Sequence, residues 1–234
     1  MELKMDEISD IIREPVHGIQ FYSREQLEAL MQKVNEICSE LEITENTPQI
    51  ATINIINNFI KQNVSLRDSY FDAFSERVEK FNPNELVYRT AYGALVKGEA
   101  MCAGFVEAER ILLSQYGIKT HTLLSKLPGS NKRLLHYVVL AEYYDDEGKH
   151  FITLDPERQK DSEQKGRDYE NYRENMLYML PTSIFTKDVV GETGVGMEAE
   201  DYIARSGVKL VKGTGNIQDL LKMKEERDEN DGNR

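Results

Sequence analysis

The chain has 234 residues, 40% hydrophobic and 30% charged, enough apolar material for one core beneath a heavily charged surface. Its 29 basic and 41 acidic residues give a net charge of −12, a field that repels phosphate backbones and argues against nucleic acid as a partner. No apolar run approaches the ~20 residues of a membrane span, and two cysteines, Cys38 and Cys102, cannot organise a disulfide scaffold.

The opening Met1-Glu2-Leu3-Lys4-Met5-Asp6-Glu7 is acidic and has no apolar signal core, so a cytoplasmic protein is expected, with leaderless export left open. Residues 1–22 read as a lead-in segment with a turn at Pro15 and His17-Gly18. Ser23-Arg24-Glu25-Gln26 has the form of a capping box. Leu27, Leu30, Met31, Val34, Ile37, Cys38 and Leu41 follow at helical spacing, which places Cys38 in a buried stripe. Thr47-Pro48 opens a second helix with Pro at the first helical position, and Ile50, Ile53, Ile56, Phe59 and Ile60 carry it to about Asn63. A third helix is predicted over Tyr70–Lys80, ahead of the breaker Asn82-Pro83-Asn84, and a fourth over Glu85–Val96, stopping at Lys97-Gly98.

From Ala103 onward Val106, Ile111, Leu112 and Leu113 predict another helix, closed by Tyr116-Gly117. The period then changes to strands over Lys119–Leu127, Leu134–Tyr144 and His150–Leu154. Turns at Gly129-Ser130-Asn131-Lys132 and Asp145-Asp146-Glu147-Gly148 make an antiparallel meander the economical arrangement. Helices first and strands second predict an α+β domain over residues 23–160. Glu157–Tyr172 reads as a solvated loop or a helix. Residues 161–227 form an extension that packs back through Asn175–Leu180, with short helices at Glu198–Ala204 and Ile217–Arg227, and residues 228–234 form a disordered tail.

Three residues stand out by position. Cys102 falls at the start of a predicted helix, His136 lies in a strand, and Asp155 ends the next strand before Pro156. Counted outward from the turn at Asp146-Glu147, His136 and Asp155 are cross-strand neighbours out of step by about two residues, an offset a longer loop or bulge would absorb. Unpaired N–H groups at a helix start favour a thiolate and can hold an oxyanion, an adjacent imidazole serves as base and acid, and a carboxylate fixes the imidazole tautomer. Tyr88 and Tyr92, just upstream of Cys102, are candidates for a second oxyanion donor. His121 reads as a strand surface residue, His150 as solvent-facing, and His17 is uninformative. Asp145-Asp146-Glu147 lacks the alternating ligands of a calcium loop, and Gly191–Gly196 and Gly213-Thr214-Gly215 lack the strand–Gly–helix setting of a phosphate cradle.

The segment Ala91-Tyr92-Gly93-Ala94-Leu95-Val96-Lys97-Gly98-Glu99-Ala100-Met101-Cys102-Ala103-Gly104-Phe105 resembles the nucleophile segment of bacterial transglutaminase-like cysteine proteins. Gly117-Ile118 after the helix, His136-Tyr137-Val138-Val139-Leu140 and Asp155-Pro156 resemble the blocks that follow in that superfamily, so the likeness spans a core of residues 85–158. The resemblance implies a papain-like fold, with the Cys-bearing helix packed on an antiparallel sheet that carries His and Asp. It implies Cys102 as nucleophile, His136 as general base and then acid, and Asp155 as the orienting residue. The sequence departs from the pattern in having no Trp, in Val139 where a polar residue is frequent, and in Glu157 where a small hydroxyl residue is common. These departures count against calcium-activated crosslinking.

The expected activity is thiol-dependent acyl transfer on peptide or protein amide bonds through a Cys102 thioester, with hydrolysis (protease or deamidase) favoured over crosslinking. No cofactor and no metal are expected. Partners are a peptide or protein substrate and a docking protein on the N-terminal helices or the C-terminal extension, with no nucleic acid and no membrane. Two other readings stand beside it. One is a catalytically silent binding module on the same fold, and the other a true transglutaminase with an amine acceptor.

Overall fold

The computed structural model describes residues 22–67, 87–126, 136–179, 210–213, 218 and 220–222. Helix α1 spans Arg24–Glu40, and its start is the capping box: Ser23 Oγ accepts from the Gln26 N–H, and the Gln26 side chain accepts from the Ser23 N–H. Leu27, Leu30, Val34 and Ile37 are buried, while Cys38 is only half-buried at the edge of the stripe. Helix α2 spans Gln49–Asn63, so Pro48 is the N-cap residue and not the first helical one. A proline side chain has no acceptor, so α2 has no side-chain cap, and the Thr47 hydroxyl accepts instead from the Thr44 N–H.

Beyond α2, a short parallel pair joins β1 (Ser65–Leu66) to β2 (Glu99–Ala100). The predicted fourth helix is instead a short 3₁₀ turn at residues 87–89 followed by a π-helical turn, Gly93–Lys97, ended by Gly98 in the left-handed conformation. Helix α3 spans Cys102–Ser114, with Gly117 left-handed (φ 69°) after it, where only glycine is unstrained.

Strands β3 (Thr120–Lys126), β4 (His136–Asp145) and β5 (Gly148–Leu154) form the expected antiparallel meander, with Asp145 paired to Gly148 across Asp146-Glu147. Helices α4 (Pro156–Gln164) and α5 (Tyr169–Asn175) follow, then β6 (Leu177–Met179) and β7 (Val211–Lys212). The extension therefore completes one five-stranded sheet of order β5-β4-β3-β6-β7. The chain is of the α+β class.

Alternation along β4 divides the core in two. Val139 and Ala141 face the cluster made by α1, α2 and α3, whereas Val138 and Leu140 face a second cluster containing Leu123, Met176, Tyr178, Val211 and Leu220. Of the helix predicted over Ile217–Arg227, positions 218 and 220–222 are described and helical, with Leu220 buried. The lead-in up to residue 21 with His17, the helix at Tyr70–Lys80 and its breaker, the turn at Gly129–Lys132, the Gly191–Gly196 stretch, the helix at Glu198–Ala204 and the tail 228–234 lie outside the described residues. Among the described residues no helix is long and apolar enough to cross a membrane.

Candidate active site

Cys102 is the first residue of α3, and Met101 before it is in extended conformation with no side chain capping the helix. The first-turn N–H groups of a helix have no intrahelical carbonyl to bond, so they leave partial positive charge at the thiol. A close approach holds this helix start in place. The Met101 N–H donates to the Tyr88 carbonyl at 2.7 Å, and a Cβ on Gly104 would lie 2.8 Å from that same carbonyl oxygen and 2.9 Å from that of Thr90. Gly104 lets the 87–90 backbone lie against the first turn of α3, which gives a physical reason for a glycine two residues after the Cys.

His136 opens β4, and its Nε2 lies 2.8 Å from Asp155 Oδ2, with both side chains buried. The expected offset is real. The β4–β5 register pairs Val139 with Leu154, so one further step sets Asp155 opposite Val138 rather than His136. No bulge absorbs it. Positions two apart share a face, and a diagonal pair of this kind is within reach of an imidazole and a carboxylate. Asp155 also works in a second direction: as N-cap of α4, its Oδ1 accepts from the Arg158 N–H at 3.0 Å, with Pro156 in the first turn. The Asp-Pro dipeptide is a helix start, and it fixes the carboxylate so that the other oxygen meets His136.

A carboxylate only accepts, so Nε2 donates to Asp155 and Nδ1 is the ring nitrogen left for the thiol. Donor atoms of Cys102, His136 and Glu157 all lie within 4.8 Å of one another. Burial alone would push the imidazole down. The charges of Asp155 and Glu157, with hydrogen bonds to Asp155 and Cys102, instead hold the His136 pKa well above the ordinary histidine value.

Glu157, noted in the sequence only as a departure, is the residue that reading missed. It is 7% exposed, Oε1 is 3.8 Å from Arg158 Nε, and Oε2 has no hydrogen-bond partner. Burial pushes its carboxyl up, against the opposing pull of His136. The signal that could have found it is the Asp-Pro-Glu order: once Asp155 is read as an N-cap, Glu157 sits in the first turn beside the strand end. Glu109, seven residues after Cys102 on α3, is fully buried with both oxygens unpartnered, and burial followed by the Asp155 charge raises its pKa far above the usual carboxylate range.

The two candidate oxyanion tyrosines have other contacts. The Arg67 guanidinium lies 4.2 Å from the centroid of the Tyr88 ring, and Tyr92 packs against the apolar core with Lys97 Nζ 5.6 Å from its ring centroid. His121 is not a surface residue. It is 6% exposed and its Nε2 lies 2.7 Å from the buried Glu142 carboxylate, because position 121 shares the inner face with Leu123. His150 is half-buried, stacked on Tyr143 and bonded to Asp145 at 2.8 Å. In the Asp145–Gly148 turn, Asp145 Oδ1 accepts from the Glu147 N–H.

No protein-family model matches this sequence, and no curated protein matches it. Among solved structures, the chain is similar to a crystal structure of a TGase (transglutaminase), with TM-score 0.45 and 14% identity over 61% of this chain and 35% of that one. It is also similar to a protein from Parabacteroides distasonis described as a proposed protease, with TM-score 0.37 and 12% identity over 76% of this chain and 31% of the other. The chain spans about a third of the length of either structure.

Proposed function

We propose that this chain is a transglutaminase-like thiol enzyme that transfers the acyl group of a peptide or protein amide to water. The observation that carries the reading is the His136–Asp155 hydrogen bond with the Cys102 thiol beside the ring at a helix N-terminus. Cys102 passes its thiol proton to His136 and attacks the amide carbon through Sγ, forming the C–S bond, while the helix-start N–H groups receive the oxyanion and Tyr88 or Tyr92 is the candidate second donor. The His136 imidazolium gives its proton to the departing nitrogen as the C–N bond breaks. His136 then takes a proton from water, the hydroxyl adds to the thioester, and the C–S bond breaks to release a carboxylate and restore the thiol. Asp155 keeps the ring in one orientation and steadies its positive charge. Hydrolysis is the preferred outcome because amine transfer requires a site that admits an amine while holding water back. The setting proposed for it is cytoplasmic.

The test is the rate of iodoacetamide labelling at each cysteine at pH 6, in wild type and His136→Ala, read by peptide mass spectrometry. Cys102 should be labelled far faster than Cys38, whose thiol is pushed up by burial, and His136→Ala should remove the difference. Equal, slow labelling of both cysteines in the wild type would mean that no Cys–His pair forms, and the binding-module reading would take its place.

A further inference from the structure

The proposed reaction uses Cys102, His136 and Asp155 and leaves Glu157 unexplained. Glu157 Oε2 is buried with no hydrogen-bond partner, and one oxygen of the same carboxyl lies within 4.8 Å of the Cys102 and His136 ligand atoms, so a polar group of this site is left unsatisfied in a place where a ligand would satisfy it. The three donors have a definite chemistry: one sulfur, one imidazole nitrogen and one carboxylate oxygen, the mixed set that suits zinc and its borderline neighbours. Their charges also fit. A thiolate and a carboxylate balance a divalent cation, so the ion and its three donors together carry no net charge, and Asp155 alone keeps its charge in the hydrogen bond to His136. The second shell is already built, since the far nitrogen of His136 is held by Asp155 in the carboxylate–histidine arrangement that orients a metal-binding ring. The donors lie within 4.8 Å of one another. A tetrahedral zinc site brings such donors to roughly 3.5 Å, so binding draws the three side chains together. Cys102 is half-buried, which leaves a fourth position for water.

We propose that Cys102 Sγ, His136 Nδ1 and the Glu157 carboxylate form a binding site for a borderline divalent cation, zinc foremost, which closes the thiol while it is bound. The site itself stands on the geometry. Only its consequence, a reversible block on acyl transfer, rests on the function proposed above.

The experiment uses the full chain carrying Cys38→Ser, stripped with EDTA and titrated with Co²⁺ and then Zn²⁺. One equivalent of Co²⁺ should bind with a near-ultraviolet thiolate-to-cobalt band, and Zn²⁺ should displace it. One equivalent of Zn²⁺ should slow iodoacetamide labelling of Cys102 at least tenfold, and EDTA should restore the rate. Cys102→Ser should abolish the band, and Glu157→Gln should weaken Zn²⁺ at least tenfold, with circular dichroism of each metal-free variant establishing that it is folded. Cobalt bound without a thiolate band, or zinc affinity unchanged in folded Cys102→Ser and Glu157→Gln, would overturn the site. A thiolate band together with metal-free labelling that ignores His136→Ala would remove the acyl-transfer reading and leave the metal site standing.

Discussion

Asp155 needs both of its oxygens at once. Oδ2 accepts the hydrogen bond from His136 Nε2, and Oδ1 accepts from the Arg158 N–H that starts α4. Asparagine has one acceptor oxygen, so Asp155→Asn cannot serve both, and being neutral it cannot steady an imidazolium in either orientation. Asparagine is nevertheless a good N-cap. The expected outcome is that Asp155→Asn retains the cap but loses the buried charge partner of His136, at a cost on the order of 1–3 kcal/mol, while Cys102 labelling falls at least about tenfold. Asp155→Ala should lose the labelling as well and a further ~1 kcal/mol of stability with the cap. Denaturant melts and labelling rates on the two variants separate the roles. An asparagine variant indistinguishable from wild type in labelling would mean that Asp155 serves α4 alone.

At the scale of elements, the site depends on how closely the 87–100 segment lies on the start of α3. A methyl group on Gly104 would meet two carbonyl oxygens and Ala100 Cβ at 2.8–3.0 Å, and the first two of these are backbone that cannot step aside. Gly104→Ala should therefore cost about 2 kcal/mol or more, despite alanine's higher helix propensity, and it should slow Cys102 labelling by displacing the helix start. Stability equal to or above wild type in a urea melt would show that the segment can retreat. The capping box at Ser23, the helical stripes of α1, α2 and α3, the meander and the order Cys, His, Asp were legible, because each is a local pattern or lies across one tight turn. What was not legible depends on partners distant in sequence. Strands β6 and β7 are short, and β6 exists because β3 offers an edge and β7 because β6 then offers the next, pairings no window of sequence contains. His121 and Glu142 are polar residues on an inward face, kept there by each other and by Lys149, which lies 2.8 Å from Glu142. The start of α4 was the avoidable miss, since Asp155-Pro156 has the chemistry of an N-cap followed by a first-turn proline.

At the scale of the molecule, three distant segments meet at one buried carboxyl. Glu107 on α3 accepts from the Tyr22 hydroxyl just ahead of α1 and, at 3.1 Å, from the Ala91 N–H before the π-helical turn, with the Arg110 charge acting on it from its own helix. It thereby ties α1 and the 87–100 segment to the helix that bears Cys102. Burial is the strongest influence on it and outweighs the hydrogen bonds and Arg110, so its pKa is raised from 4.5 to about 7. The folded state therefore binds this proton more tightly than the unfolded chain does. The stabilisation is complete below about pH 4.5 and is lost as pH rises to about 7. A difference of this size corresponds to on the order of 3 kcal/mol. Glu107→Gln cannot titrate, so the difference in unfolding free energy between wild type and this variant should shift toward the variant between pH 4.5 and 7 and stay constant above that range. Urea melts of both proteins at intervals across that window measure it, and the other titrating groups cancel in the difference. A flat difference across the window would mean that Glu107 is already ionised in the fold, held by Tyr22 and Ala91, and that the junction of the three segments is insensitive to pH.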